Sequence, residues 1–273
     1  MEGVAMSMET DTESPAKTLQ QKADALPPDT FVGGPRHDFE RVGRLQLITL
    51  LRAGMYPDSD LLDVGCGCLR GGYWTIHFLD DGRYCGIEPN EPMLRLGTDY
   101  FLEAATLEQK QPRFDSNDRF DFSVFGRQFD FVVARSIWTH ASKTQIQAML
   151  DSFLESGRRN AVFLTSYYRG DTERDYGGAS WVGESHESME KGVVRHRPDW
   201  IAHECSRRDL AVRELTEDLA NGQRWLMVQR SGADARPSLG IPLGKSPSRR
   251  ALRRRNALRR MNRYLRGGPT IPV

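Results

Sequence analysis

The stretch Leu61-Leu62-Asp63-Val64-Gly65-Cys66-Gly67-Cys68 decides the fold of this chain. It is a short apolar run that leads directly into a turn with glycines two residues apart. Glycine lets the backbone turn sharply and approach a ligand closely, because no Cβ stands in the way. The run from Tyr73 to Leu79 then has the apolar spacing of a helix. The pattern predicts a strand, a ligand-binding turn and a helix, with the ligand at the carboxyl end of the strand.

Two kinds of nucleotide site use such a turn, and the spacing of the glycines separates them. A dinucleotide site has the pattern Gly-x-Gly-x-x-Gly, whose third glycine would fall at Arg70. The pattern instead resembles the Asp-x-Gly-x-Gly motif of class I S-adenosylmethionine (SAM)-dependent methyltransferases, with Asp63, Gly65 and Gly67 in place. Leu69 departs from that family, which often has a third glycine there. The resemblance implies that S-adenosyl-L-methionine is the cofactor and that the three matching residues hold it.

A second motif lies at the end of the next expected strand. The run from Arg83 to Ile87 reads as a strand and ends in Glu88, 21 residues after Gly67. In dinucleotide folds an acidic residue about 20 residues after the glycine turn binds the ribose hydroxyls, because a carboxylate accepts both of their protons. Glu88 is therefore the candidate ribose ligand. The alternative is a solvated charge at a strand end.

Two further positions extend the resemblance. Asp130 follows Phe129 at the start of an apolar strand, as commonly found before the fourth strand of this methyltransferase family. Asp118, 12 residues earlier, matches the place where the family often puts an aspartate against the adenine amine. The resemblance covers roughly residues 36–230 through four motifs in the same order as in the family.

The order of the apolar segments predicts an α/β fold. Helical spacing over Arg36 to Ala53, ended by Gly54, predicts a helix that packs over the cofactor site. A crossover helix is expected at residues 143–155. Strands are expected near residues 61–65, 83–88, 113–117, 129–135, 160–167, 210–215 and 223–229, the last two as a hairpin through Asn221-Gly222. The resemblance implies a Rossmann-like methyltransferase fold, with a mostly parallel seven-stranded sheet and a C-terminal antiparallel hairpin.

The segment after the fourth strand, Ala134 to His140, is where this family shows its substrate class. It lacks the Asn-Pro-Pro-aromatic segment of enzymes that methylate base amines. Metal-dependent catechol-type relatives place an aspartate where this chain has Arg135, so a magnesium-assisted mechanism is disfavoured. His140 is the candidate general base, because histidine can accept a hydroxyl proton near neutral pH. The alternative is a histidine that only hydrogen-bonds backbone in a turn before a helix.

Aromatic and imidazole side chains between Tyr167 and Trp200 form the candidate acceptor pocket, with an ordinary lid as the alternative. These features together predict metal-independent O-methylation of a hydroxyl on a small molecule, glycan or glycolipid. Three alternatives stay open. They are N-methylation of an amine metabolite, a non-catalytic binding module with this fold and an NAD-dependent oxidoreductase.

Charge divides the chain into unequal parts. The 273 residues have a formal net charge of +1. Residues 231–273 contain eleven Lys or Arg and one Asp, a net charge of +10, which leaves −9 for the rest. The expected organisation is a disordered segment at 1–30, a methyltransferase domain at 31–230 and a basic tail at 231–273.

Apolar residues in this tail can share one helical face, which suits an anionic membrane surface. They are Leu252, Leu258, Met261 and Leu265. Contact with nucleic acid, a less favoured partner, and folding back onto the acidic body are the alternatives. The sequence has no apolar run of membrane-spanning length, no secretory signal and no paired Cys-x-x-Cys motifs. The expectation is a cytoplasmic protein with reduced thiols, peripheral to the membrane if the tail binds it.

Overall fold

The computed structural model of the protein describes residues 17–170, 181, 192–218 and 222–233. The strands are β1 (Leu61–Val64), β2 (Tyr84–Ile87), β3 (Arg113–Asp115), β4 (Phe129–Ala134), β5 (Gly157–Arg169), β6 (Arg195–His196), β7 (Leu210–Asp218) and β8 (Arg224–Arg230). The helices are α1 (Leu19–Asp24), α2 (Phe39–Arg52), α3 (Gly72–Phe78), α4 (Glu91–Leu96), α5 (Ala104–Lys110), α6 (Lys143–Ser156) and α7 (Pro198–Ser206). Short 3-10 turns at Arg36–Asp38 and Phe122–Phe125 and a π-helical turn at Gly97–Phe101 lie between them.

The strands form one sheet in the order β3-β2-β1-β4-β5-β8-β7. Strands β1 to β5 pair in parallel, whereas β8 runs antiparallel between β5 and β7. The predicted α/β fold, a mostly parallel sheet with a C-terminal antiparallel hairpin, is therefore confirmed. The two-residue strand β6, which pairs with β5, is an addition to the seven strands expected. The strand order reverses at β1, and such a switch point opens a crevice at the carboxyl ends of the strands.

Helices cover both faces of the sheet. Leu61 in β1 packs into the core that includes Phe39 and Leu50 of α2. Its neighbour Leu62 packs into the opposite core, with Met149 of α6. A central parallel strand buried on both faces has no polar side to alternate, which explains why β1 reads as an almost continuous apolar run.

The first described helix corrects one prediction. Helix α1 begins after Thr18, whose side chain makes a reciprocal capping box with Gln21. Leu19 is 4% exposed and Ala23 is fully buried, and both belong to the same core as α2. The disorder predicted for residues 1–30 is therefore wrong over α1, and the folded body begins before residue 31. Residues 1–16 lie outside the described residues.

Charged side chains join the strands at the edge opposite the glycine turn. Asp60, only 2% exposed, accepts hydrogen bonds from Arg83 (3.1 Å), Arg127 and Arg158 (2.7 Å). Arg158 also donates to Asp130 at the start of β4 (2.8 Å). Asp130 thus has a structural role at the start of β4, because it helps to hold the beginnings of β1, β4 and β5 together.

In the part of the chain that the structure describes, no helix is long and apolar enough to cross a membrane. Almost all of the predicted basic tail, residues 234–273, lies outside the described residues, as does Asn221 of the predicted hairpin turn. Ser231 still belongs to the folded body, since its N–H donates to the carbonyl of Asp209 (2.8 Å).

Candidate active site

A cavity opens where the carboxyl ends of β1, β2 and β4 meet. In the parallel pairing of β1 with β4, Asp63 lies beside Val133. Gly65 and Arg135, two residues further along these strands, therefore come to the same edge of the sheet. The predicted site residues that line this cavity are Asp63, Gly65, Gly67, Glu88 and His140.

Both glycines of the turn are required by conformation and by space. Gly65 has φ +69° and Gly67 has φ +55°, in the left-handed region that favours glycine. A Cβ on Gly65 would lie 2.1 Å from Cδ1 of Ile137, and a Cβ on Gly67 would lie 2.9 Å from Cε of Met93. Substitution of either glycine would therefore displace the side chain that packs against it.

Glu88 is built into the turn by hydrogen bonds from the backbone. It is 4% exposed, and its Oε2 accepts the N–H of Gly67 (2.8 Å) while its Oε1 accepts the N–H of Asn90 (2.9 Å). Burial raises the pKa of this carboxyl, and the two N–H donors oppose that shift. Each carboxylate oxygen has a second lone pair, so Glu88 can still accept hydrogen bonds from a ligand.

Asp63 is held at the end of β1 by two neutral donors. The hydroxyl of Tyr84 donates to its Oδ2 (2.9 Å), and the amide of Gln46 donates to the same oxygen (3.4 Å). Burial raises the pKa of Asp63 to about 7, the charge of Glu88 adds to the shift and the charge of Arg135 opposes it. The carboxylate is thus a weakly stabilised anion that an approaching cation would stabilise.

Helix α2 closes one side of the cavity. A Cβ on Gly43 would lie 2.1 Å from the carbonyl oxygen of Arg70, so glycine at 43 allows the helix to approach the turn closely. Gln46, one turn further along α2, lines the cavity and contacts Gly71. The prediction that this helix packs over the site is confirmed.

His140 lies on the cavity and is also tied to the backbone. Its Nδ1–H donates to the carbonyl of Gly192 (3.0 Å), so Nε2 is the nitrogen that can accept a proton in the neutral ring. The ring centroid lies 5.4 Å from that of Trp181. The residue that caps α6 is Ser142, through a capping box with Gln145. His140 thus makes the backbone contact of the structural alternative while lining the cavity.

Solved structures of the same fold come from methyltransferases with different acceptors. Magnesium protoporphyrin IX methyltransferase from Synechocystis PCC 6803 with bound SAM is 18% identical, with a TM-score of 0.52 over 74% of this chain and 86% of that chain. The glycopeptide N-methyltransferase MtfA is 13% identical, with a TM-score of 0.51 over 69% of this chain and 96% of that chain. The chain has the class I methyltransferase fold.

A complex of DhpI with S-adenosylhomocysteine (SAH) matches this methyltransferase fold in the same way. It is 16% identical, with a TM-score of 0.51 over 78% of this chain and 94% of that chain. No protein-family model matches the chain. At such low identity the likeness establishes the fold, and the acceptor has to be inferred from the residues of this chain.

Asp118 lies apart from the other predicted site residues. It is exposed, three residues beyond the end of β3, and it does not line the cavity. The loop that carries it is held by Asn117, whose amide donates to Asp115 (2.8 Å) and to the carbonyl of Asp121 (3.2 Å). Contact between Asp118 and an adenine amine stays a prediction.

The sequence reasoning did not assign several residues that line the cavity, among them Met93 and Arg70. Met93 lies over the turn, in the space that a Cβ on Gly67 would need, and its N–H donates to the N-cap side chain of Asn90 (3.1 Å). A capping asparagine before an apolar residue was the signal for this helix start. Arg70 is 8% exposed, donates to the carbonyl of Val32 (2.7 Å) and lies over the ring of Phe39. Nothing in the sequence distinguishes it from a surface arginine.

Few described residues of the predicted acceptor segment reach the cavity. Trp181 lines it. Tyr167 is fully buried and instead donates to Glu214 (2.8 Å), and the rings of His196 and Trp200 stack on each other away from the cavity. Residues 171–180 and 182–191, which include Tyr176 and His186, lie outside the described residues.

The two cysteines of the turn have the properties of core side chains. All four cysteines of the chain are buried and free. Burial raises the pKa of Cys66 well above its usual value and that of Cys68 to about 12. Protonated thiols are poor nucleophiles, so these side chains fill space beside the turn. Among the described residues, no group of three or more His, Cys, Asp or Glu side chains is arranged to hold a metal ion.

Proposed function

We propose that this protein is a SAM-dependent methyltransferase. The observation that carries the proposal is the buried carboxylate of Glu88, which the N–H of Gly67 holds directly at the glycine turn. A carboxylate fixed beside such a turn suits the two hydroxyls of a ribose. Support also comes from proteins of the same fold, since magnesium protoporphyrin IX methyltransferase was solved with SAM and with SAH.

In this proposal residues of the chain bind each part of SAM. The turn at Gly65 and Gly67 lies under the cofactor, and Glu88 binds the ribose. Asp63 faces the ammonium group of the methionine portion, a cation that would lower the raised pKa of this carboxyl. Asp118 contacts the adenine amine.

The proposed reaction is O-methylation of a hydroxyl on a small molecule, glycan or glycolipid. The acceptor oxygen attacks the methyl carbon in line with the sulfonium. The new O–C bond forms as the C–S bond breaks, and the electron pair goes to sulfur. Nε2 of His140 takes the hydroxyl proton. Positioning alone can lower such a barrier by roughly 7–11 kcal/mol, so the proposed reaction does not require a metal ion.

The test compares full-length wild type with His140→Gln, using isotopically labelled SAM and a panel of hydroxylated and amine acceptors. General-base catalysis contributes about 10²–10⁴-fold, so His140→Gln should lose that much of kcat on a hydroxyl acceptor and keep its SAM affinity. His37→Gln, an exposed histidine outside the cavity, is the matched control.

The outcomes separate the alternatives that the sequence left open. Undiminished methylation of a hydroxyl by His140→Gln would contradict the base role. Methylation confined to amine acceptors would favour the N-methyltransferase alternative, because a neutral amine needs no base before attack. SAM binding without transfer to any acceptor of the panel would favour a binding module.

A further inference from the structure

Arg135 differs from Arg70, the buried arginine that lines the same cavity. It follows β4 directly and lines the cavity. Among the described residues, its buried Nε has no hydrogen-bond partner and its guanidinium forms no ion pair. By contrast, Arg70 has the carbonyl of Val32 and the ring of Phe39.

A guanidinium without an ion pair is costly in this place, because partial burial removes part of the water that would solvate its charge. Burial and the like charge of Arg70 together lower the pKa of Arg135 to about 10, against the attraction of Asp63. Replacement by an apolar residue of similar volume would relieve this cost. An arginine that has no ion pair and lines a cavity indicates a ligand whose negative charge neutralises it.

The backbone next to Arg135 is fixed in an unusual conformation. Ser136 has φ +57°, in the left-handed region that non-glycine residues rarely adopt. Its N–H donates to Oγ of Ser166 (2.7 Å), and the amide of Gln223 bonds both serine hydroxyls. This buried network joins β4, β5 and the start of β8. Such strain persists where the surroundings hold it in place, and it is concentrated at ligand sites.

The position of Arg135 places it on the acceptor side of the cavity. The residues that follow it include Ile137, which packs against Gly65, and His140, the proposed base. If SAM binds as proposed, its sulfonium adds a third positive charge to those of Arg70 and Arg135. Glu88 and Asp63, which is ionised beside the SAM ammonium as proposed above, offset two of these three charges and leave one uncompensated. A protonated amine would be repelled here, whereas an anion would complete the charge balance.

We propose that Arg135 binds an anionic oxygen group, a carboxylate or a phosphate, on the methyl acceptor. The guanidinium presents parallel N–H donors that match either group. The acceptor is then a hydroxy acid or a phosphorylated alcohol, held by Arg135 with its hydroxyl toward His140. This inference rests on the proposed function, because it takes the cofactor to occupy the glycine-turn side of the same cavity.

The test uses the full-length protein with saturating SAH and two probes, acetate and inorganic phosphate, against sodium chloride at equal ionic strength. Isothermal titration and thermal unfolding are measured for wild type, Arg135→Gln and Arg135→Lys. Arg207→Gln, which removes a 61% exposed arginine directly after α7, is the matched control. SAM affinity and the Tm of each unliganded protein are measured in parallel.

We expect at least one probe to bind the wild type and the control alike. Arg135→Gln should bind it about tenfold more weakly, the loss expected for one charge-assisted contact, and Arg135→Lys should fall between. The unliganded Arg135→Gln should have a higher Tm, because a partly buried charge without an ion pair is removed. Its SAM affinity should stay within about threefold of the wild type. A response to acetate or to phosphate indicates which anion the site prefers.

Other results overturn the inference. If the wild type binds neither anion, or if Arg135→Gln binds the anion as tightly as the wild type does, the inference is contradicted. A lower Tm of Arg135→Gln would mean that Arg135 has a structural role. A tenfold loss of SAM affinity would assign Arg135 to the carboxylate of the cofactor. Absence of SAM binding in the wild type would refute the proposed function instead, and the anion titration without SAH would still report on Arg135.

Discussion

At the scale of single residues, Leu69 shows how the turn departs from the family pattern without losing its shape. Leu69 has φ +60°, the left-handed backbone that a glycine would adopt, and its side chain is fully buried. Gly72 and Gly97 leave room for it, since a Cβ on either would lie 2.8 or 2.7 Å from the Leu69 side chain. The missing third glycine is therefore offset by glycines elsewhere.

Substitution of Leu69 separates backbone strain from burial. Loss of a buried leucine side chain costs about 2–5 kcal/mol, and the left-handed backbone costs a residue other than glycine about 1–2 kcal/mol. Leu69→Ala keeps the strain and loses the burial, whereas Leu69→Gly loses both. Urea unfolding should rank the proteins wild type, Leu69→Gly and Leu69→Ala from most to least stable. A more stable Leu69→Gly would mean that the side chain contributes little.

The raised pKa of Asp63 makes the stability of the protein depend on pH. The carboxyl has a pKa of about 7 when folded, against a usual value of 3.8. Between these values the folded state holds a proton that the unfolded state has lost. The contribution of Asp63 to stability is thus full below pH 4 and is lost as pH rises through about 7. The stability of Asp63→Asn should lack this decline. The free energy of unfolding of the variant should therefore rise relative to that of the wild type between pH 5 and pH 8.

Urea unfolding of the two proteins at both pH values checks this prediction, with exposed Asp118→Asn as the control. Parallel pH dependence of wild type and Asp63→Asn would contradict it.

The turn, Asp63 and Glu88 were found from the sequence because their spacing is local. The burial that shifts the pKa of Asp63 was not, because Gln46 and Tyr84 reach it from separate elements.

At the scale of elements, the buried carboxylate of Asp60 joins the beginnings of neighbouring strands, in addition to the backbone hydrogen bonds that Asp130 and Phe131 donate to the Asp60 carbonyl. Removal of one partner from a buried ion pair costs about 3–5 kcal/mol, because the remaining charges lose their compensation. Asp60→Ala should therefore lower the free energy of unfolding by that amount. Arg83→Ala should lower it by less than about 1 kcal/mol, since Arg83 is 39% exposed and two other arginines still pair with Asp60. Equal effects would contradict a central role for Asp60.

Elements with a strong apolar period were predicted well, and short ones were not. Helices α2 and α6 and the seven main strands match their expected positions within a few residues. Helix α1 was missed because its six residues are mostly polar and two buried side chains hold it to α2. Its Thr18-x-x-Gln21 capping box was a usable signal. The two-residue strand β6 is too short to show any period.

At the scale of the whole molecule, the charge of the chain is divided between an acidic body and a basic end. We propose that the tail holds the protein at an anionic membrane surface. Replacement of five arginines by glutamine, at positions 249, 250, 253, 254 and 255, should reduce retention on phosphatidylserine vesicles, since each basic residue contributes about 1 kcal/mol there. SAM affinity should not change. Equal retention of both proteins, or binding to oligonucleotides alone, would contradict the membrane proposal.

The central claim is that the cavity at the glycine turn binds SAM through Glu88. Isothermal titration of the wild type with SAM, SAH and NAD tests it most directly, together with Glu88→Ala and the exposed control Glu108→Ala. We predict binding of SAM and SAH at micromolar concentrations and none of NAD. Glu88→Ala should weaken SAM binding by about 1–3 kcal/mol, the cost of lost hydrogen bonds to a charged acceptor, and Glu108→Ala should not. NAD binding without SAM binding, or equal SAM affinity in Glu88→Ala, would contradict the account.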